Sequence, residues 1–388
     1  MFTNDIKYLI SAIGNLDDNN ERIEYYELNQ KHLIDYNMIF VDTIFGLDKT
    51  EYLNEIANLN YDVNSLYYSN KLLCINETVL RDKNRGRSTY LKNQVCVSFD
   101  VQIVSQLKRY TDNHFQDPDL TKIIKLCKSG RCTFDIMPFI IENSFKREDG
   151  INFTAQDLED IRAFETLFPN YDNTSSNIDE YMESFLAFQQ RHESRQLMEY
   201  FYTIYKAELL YLLAIIYIHF KFTTLSPQNK FEKFLEFCNN EIFAFNISAS
   251  NLAKLFYENT SLRFFKKIQK NNKTIIKDIK NMAWDIFHLK NLEMSAGISE
   301  CGPDVILIPI LISRDKGLNE IRSAFQVKCL FHNMRTRRTT CAYYSNAMNY
   351  GHSLKYFNEK SVKHRANIEV NLDVMIEKLK ESVSRIIL

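Results

Sequence analysis

Four carboxylates stand out in this chain for where they fall: Asp100, Glu142, Asp285 and Asp315. Asp100 closes the β-branched run Gln94-Val95-Cys96-Val97-Ser98-Phe99, and Asp315 follows the long apolar run Val305–Ile312 by three residues. If those two runs are parallel strands, both carboxylates emerge at the carboxyl edge of one sheet, where open α/β sheets hold their ligands. Clustered carboxylates repel one another and raise each other's pKa, so a fold keeps three or four together mainly where a divalent cation offsets the repulsion. Oxygen-only ligands point to Mg2+ or Mn2+.

The elements that must position these acids follow from the hydrophobic pattern. Val101–Tyr110 has helical apolar spacing and starts an α/β unit after the first strand. A second unit follows late in the chain, with helical spacing from Ile279 to Met294 ahead of the buried strand Val305–Ile312. Pro309 cannot donate to a ladder, so this strand is expected to lack full pairing on one side or to carry a bulge. Helices that feed both strands favour parallel neighbours through right-handed crossovers. From Ile151 to about Lys280 the pattern is almost continuously helical, and Leu209–Phe220 is expected to be a buried helix rather than a membrane span. Two further strand-like runs, Met38–Val41 and Leu72–Ile75, lie near the start, and an amphipathic helix is expected over Val370–Leu388.

The segments Cys96-Val97-Ser98-Phe99-Asp100, Phe139-Ile140-Ile141-Glu142-Asn143, Trp284-Asp285-Ile286-Phe287-His288-Leu289 and Ile312-Ser313-Arg314-Asp315-Lys316-Gly317-Leu318 resemble, in order, the four acidic motifs of PIN-like nucleases. The resemblance implies an α/β fold, a PIN-like αβα sandwich with a central, mostly parallel sheet, and a divalent-metal site for phosphodiester hydrolysis. It implies that Asp100, Glu142, Asp285 and Asp315 together bind the metal; for metal-assisted hydrolysis Asp100 and Asp315 are expected as ligands, Asp285 as a ligand or an orienter of the water, and Glu142 as a general base or a group behind the ligands. Gln102 stands where that family usually has asparagine, and the long separation of Glu142 from Asp285 is attributed to a helical insertion. His288 shares a helix face with Asp285, a position that in this family packs or hydrogen-bonds. The chain then divides into an accessory lobe over 1–95, a core over 96–325 with an insertion at about 150–278, and a basic, aromatic segment with a terminal helix over 326–388.

For substrate binding the sequence offers Ser313, Arg314 and Lys316 beside the last acid. The stretch Ile321–Asn358 adds Arg322, Lys328, Arg335, Arg337, Arg338 and Lys355, interleaved with tyrosines and free of acids. Guanidinium groups pair phosphates and rings stack unpaired bases, which favours unpaired strands, and the resemblance implies RNA over DNA. Enzymes of this kind commonly act as toxins or in defence against phage, with a protein partner or a homo-oligomer as further expectations.

Other readings compete. Asp capping helix termini is a common structural role for such acids. A PIN-like sheet whose acids only cap would be an inactive interaction protein. Asp42, ending Met38–Val41, imitates a first nuclease strand. Arg109 and His114 fit the Arg-x4-His spacing of metal-independent HEPN ribonucleases. His192, His219 and His332 have no partners at zinc-ligand spacing.

Composition narrows the classes. With 9 glycines and 6 prolines in 388 residues, turn-rich all-β folds are disfavoured, and neither a phosphate-binding loop nor a dinucleotide fingerprint can be written. Forty-eight Lys and Arg balance 49 Asp and Glu, so any attraction to polyanions must be local. The eight cysteines form no Cys-x-x-Cys pair and are expected as reduced thiols in a cytoplasm.

Overall fold

A computed structural model describes residues 2–42, 47–48, 62–67, 71–86, 92–112, 117–128, 132–145, 153–168, 178–189, 191–297, 305–336, 338–343, 356, 361, 365 and 368–387. The carboxylates sit on a four-stranded sheet made of β3 (Asp62–Ser65), β7 (Val305–Ser313), β5 (Lys92–Phe99) and β6 (Cys132–Asp135), in that spatial order. β5 is parallel to both neighbours, in register Phe99↔Ile312 with β7 and Ser98↔Asp135 with β6. β3 is antiparallel at the edge.

Chain order makes the sheet doubly wound. From β5 the chain steps through α5 (Val101–Thr111) and α6 (Pro118–Lys128) to β6, then returns past β5 to β7 by way of α7 (Met137–Phe145) and, finally, α13 (Ile275–Gly297). Right-handed crossovers in opposite directions put their helices on opposite faces. Side-chain alternation along β5 shows helices on both faces of the sheet, with α8 (Ala155–Leu167) of the second connection packed beside α5. Phe99 meets Phe164 and Phe168 of the α8 side at 6.1 and 5.5 Å between ring centroids. Ser98, pointing the other way, shares Asp135 with Ser295 of α13. Truncating the fully buried Phe99 would cost about 3–5 kcal/mol.

Pro309 does what its missing N–H dictates. It is in register with Cys96 of β5, while the β3 ladder reaches only Ile310, opposite Ser65. Its carbonyl accepts Leu66 N at 3.4 Å, so the absent donor falls on the side where β3 ends.

A second sheet is antiparallel throughout, in the order β2 (Leu47–Asp48), β4 (Lys71–Ile75), β1 (Tyr36–Asp42), β8 (Val327–Asn333), β9 (Arg338–Tyr343). It joins the segment expected as an accessory lobe to the segment expected as a basic tail, and β3 of that lobe belongs to the first sheet. Met38 and Phe40 pack with Ile13, Tyr26 and Leu33 from α1 (Phe2–Asn15), α2 (Asn19–Leu28) and α3 (Gln30–Leu33). Ile39 and Val41 face the main core. After β4, α4 (Glu77–Asn84) adds Leu80 to the N-terminal cluster.

Between Ala155 and Glu258 every described regular element is helical: α8, α9 (Ile178–Gln189), α10 (His192–Lys221), α11 (Pro227–Phe237), a π turn (Cys238–Ile242) and α12 (Ile247–Glu258). These helices are part of the core, since α8 packs on α5 and sets Phe164 against Phe99 of β5, and α10 packs along α13 and the terminal helix α15 (Leu372–Ile387). α10 is long and apolar enough to cross a membrane, but 67% of its most apolar window is buried inside the protein. α13 lies between the sheets, in contact with β7 and β9.

Candidate active site at the carboxyl edge of the parallel strands

Direction reverses between β5 and β7, and at such a switch point open α/β sheets form their ligand crevice. Asp100 stands at the carboxyl end of β5, where its N–H still donates to Ile312 O at 3.1 Å. It is also the N-cap of α5, Oδ1 accepting Ile103 N at 2.8 Å. Its Oδ2 accepts the Ser313 hydroxyl at 2.5 Å and Arg314 N at 3.2 Å. Burial pushes the Asp100 carboxyl above the usual range, against the pull of these three hydrogen bonds and of His288.

Asp315 repeats the arrangement after β7. It caps the short helix α14 (Lys316–Ile321), accepting Gly317 N at Oδ1 over 2.7 Å, and its own N–H donates to Ser313 Oγ at 2.9 Å. Ser313 thus links the two acids. A Cβ on Gly317 would lie 2.9 Å from Asp315 Oδ1 and 3.0 Å from the Phe264 backbone, so only glycine fits this turn.

The other two acids come from helices. Glu142 is buried on α7, with Oε2 at 2.7 Å from His288 Nε2, one turn beyond Asp285 on α13. His288 Nδ1 is buried with no hydrogen-bond partner among the described residues. Asp285 is half-buried, and no described donor reaches its carboxyl. Its pKa is pushed well above the usual carboxylate range, first by burial and then by the charges of Asp315, Glu142 and Asp100. Those are the other three acids of the expected set, within electrostatic reach of one side chain.

Sequence reasoning missed a fifth acid. Asp135 ends β6, accepts Met137 N at 2.8 Å, Ser98 Oγ at 3.1 Å and Ser295 Oγ at 3.4 Å, and is pushed upward by burial. Each of the three parallel strands therefore delivers an aspartate to the same edge. The signal was Cys132-Thr133-Phe134-Asp135, the same run-then-acid pattern in only four residues.

The expected substrate residues divide. Ser313 is 1% exposed and engaged with both Asp100 and Asp315, so it positions acids and does not meet a substrate. Arg314 directs its guanidinium to Asp117, whose other oxygen caps α6. Lys316 is exposed. Arg335 lies in the β8–β9 turn of the second sheet, 3.4 Å from Asp35, and Lys328 pairs with Asp17 at 3.1 Å. Acids of the N-terminal region thus already neutralise part of the basic stretch. Arg338 opens β9, and Arg337 and Lys355 lie outside the described residues. Arg109 is on the last turn of α5, and His114 of the HEPN-type spacing is also outside them. Asp42 ends β1 in the second sheet, away from the parallel strands.

The acids whose charges act on Asp285 offer oxygen donors, the kind that hard divalent cations take. Among the described residues, no three His, Cys, Asp or Glu side chains are grouped closely enough to hold one as they stand. Compared with family models, curated proteins and solved structures, the chain matches none.

Proposed function

We propose that this chain is a divalent-metal nuclease on a PIN-like core, hydrolysing phosphodiester bonds in RNA in preference to DNA, and working in the cytoplasm as a toxin or phage-defence effector. One observation supports it above the rest. Asp285, with no hydrogen-bond donor among the described residues, feels the charges of Asp100, Glu142 and Asp315 at the switch point of a doubly wound sheet. Such repulsion is relieved by a bound cation.

Asp285, Asp315 and Asp100 would hold Mg2+ or Mn2+, which when bound supplies an acidified water and neutralises charge on the phosphodiester. Occupancy asks Asp100 or Asp315 to turn an oxygen from a capping role toward Asp285. Ser313 holds Asp100 and the Asp315 backbone in common, so the two acids stay in register. His288 anchors Glu142, and a carboxylate so anchored is suited to orient a water and take its proton.

A second reading has its own observation. Asp100 and Asp315 both cap helices, and if capping is their whole role the protein is an interaction module with the helices as its working surface. The test is cleavage of a mixed RNA and DNA panel, with and without EDTA, by wild type and Asp285→Asn. The proposal expects RNA cleavage abolished by EDTA and by the substitution. Cleavage that survives EDTA and is lost in His114→Ala would establish the HEPN-type mechanism instead. A folded protein that cleaves nothing would leave the interaction module.

A further inference from the structure

A cavity of about 920 Å³ opens between α10, α13 and α15, on the stripe of α13 that leads to His288. Its size falls within the range of small-molecule sites. Four near-parallel rings run along its wall. Phe145 stacks on Tyr202 at 4.2 Å, Tyr202 follows Tyr205 at 5.6 Å, and Tyr205 stacks on Trp284 at 3.8 Å, with interplanar angles of 5°, 12° and 15°. The column is anchored at Trp284, which is 3% exposed, and ends at the half-buried Phe145.

Four lysines line the same cavity. Lys206 is neutralised by Asp373 at 2.8 Å and Lys380 by Glu377 at 2.6 Å. Lys277 and Lys280, on the first turns of α13, have no acid partner among the described residues. The lining therefore carries a net charge of +2, beside the start of a helix whose dipole favours anions. A phosphomonoester carries about −1.5 to −2 near neutral pH, which matches it. Ile276, Leu209 and Ile376 give an apolar wall, and Asn281 offers an amide that can both donate and accept. Phosphate alone would leave most of this space unfilled.

We infer that this cavity is a nucleotide site, taking a phosphomonoester on Lys277 and Lys280 with its base and sugar against the apolar and aromatic wall. The ligand is a free nucleoside monophosphate or the phosphorylated end of a nucleic-acid strand. The inference does not rest on the hydrolase reading, because occupancy is measurable in EDTA, where the proposed cleavage is off.

The experiment is calorimetric titration of the whole chain in EDTA with adenosine monophosphate, adenosine, ribose 5-phosphate and inorganic phosphate, with emission from Trp284 as a local reporter. Trp284 is the chain's single tryptophan. The expected result is saturable binding of the nucleotide, at least tenfold tighter than the other three. Lys277→Gln and Lys280→Gln should each weaken it about tenfold, with unchanged circular dichroism. A short RNA with a 5′-phosphate that binds tighter than the mononucleotide would assign the site to strand ends, and weaker binding would assign it to free nucleotide. No nucleotide binding by either readout overturns the inference. So does equal binding of ribose 5-phosphate, or a double lysine variant that binds as wild type.

Discussion

Replacing Asp285 by asparagine keeps the side chain's shape and removes one negative charge from a group of four. In the folded protein the Asp285 carboxyl is raised, so the native state holds its proton more tightly than the unfolded chain does. Stability from this residue therefore falls as pH rises from 3.8 toward the raised native value, so at neutral pH the ionisable side chain costs stability that an asparagine does not. Each tenfold change in that acid constant is worth ~1.4 kcal/mol. With an unfolding entropy of roughly 2.1 cal/mol/K per residue, this chain gains about 0.8 kcal/mol/K, so ~1.4 kcal/mol moves Tm by about 1.7 °C. Mn2+ at about a hundred times its dissociation constant adds ~2.7 kcal/mol, or about 3 °C. Scanning calorimetry at pH 7 should show Asp285→Asn melting above wild type in EDTA, with the gap closing toward pH 4. Mn2+ should then raise the wild type by about 3 °C and the variant by under 1 °C. An equal Mn2+ shift in both proteins, or a variant that melts below wild type in EDTA, refutes the repulsive, cation-seeking cluster.

Ser313→Ala removes the hydroxyl that donates to buried Asp100, and should destabilise the protein by about 1–3 kcal/mol in urea titrations. A variant as stable as wild type would mean that Asp100 finds another donor. Gly317→Ala forces a methyl against the Phe264 backbone, with an expected cost of about 1–3 kcal/mol and loss of the Asp315 cap, visible as both a lower Tm and a weaker Mn2+ shift. His219, packed against Phe220 and Phe256 and near Lys230, has its pKa lowered by burial to about 4. A depressed histidine gives up stability as pH falls from 6.5 toward 4, by roughly 3 kcal/mol at most. His219→Phe should flatten the acid side of the stability curve in that window, and an unchanged slope would contradict the assignment.

Residues that form long β-branched runs declared themselves in the sequence. Val95–Phe99 and Val305–Ile312 became β5 and β7, and the helical spacing after Asp100 and around Asp285 became α5 and α13. Their adjacency is a matter of pairing between distant segments, which no local pattern encodes. The same limit hid the second sheet, where β1 pairs with β8 from the opposite end of the chain. Lys328 and His332 interrupt the apolar alternation of β8, and the charges around Arg335–Arg338 dominated a stretch that folds as a hairpin. β6 was too short to register, and Asp135 was missed with it. The double role of Asp100 and Asp315, as strand-end acids and as caps, follows from a strand that turns at once into a helix, since the first free N–H groups need an acceptor where the sheet's edge needs a polar residue. The aromatic column beside Trp284 comes from three helices, and its rings read in isolation as ordinary core.

The most direct measurement is anomalous diffraction from crystals of this protein grown with Mn2+. The account predicts one strong peak against Asp285, shared with carboxylate oxygens of Asp315 or Asp100, and absent from Asp285→Asn crystals. A map with no peak at Asp285 at saturating Mn2+, or one with the ion elsewhere on the molecule, would contradict it.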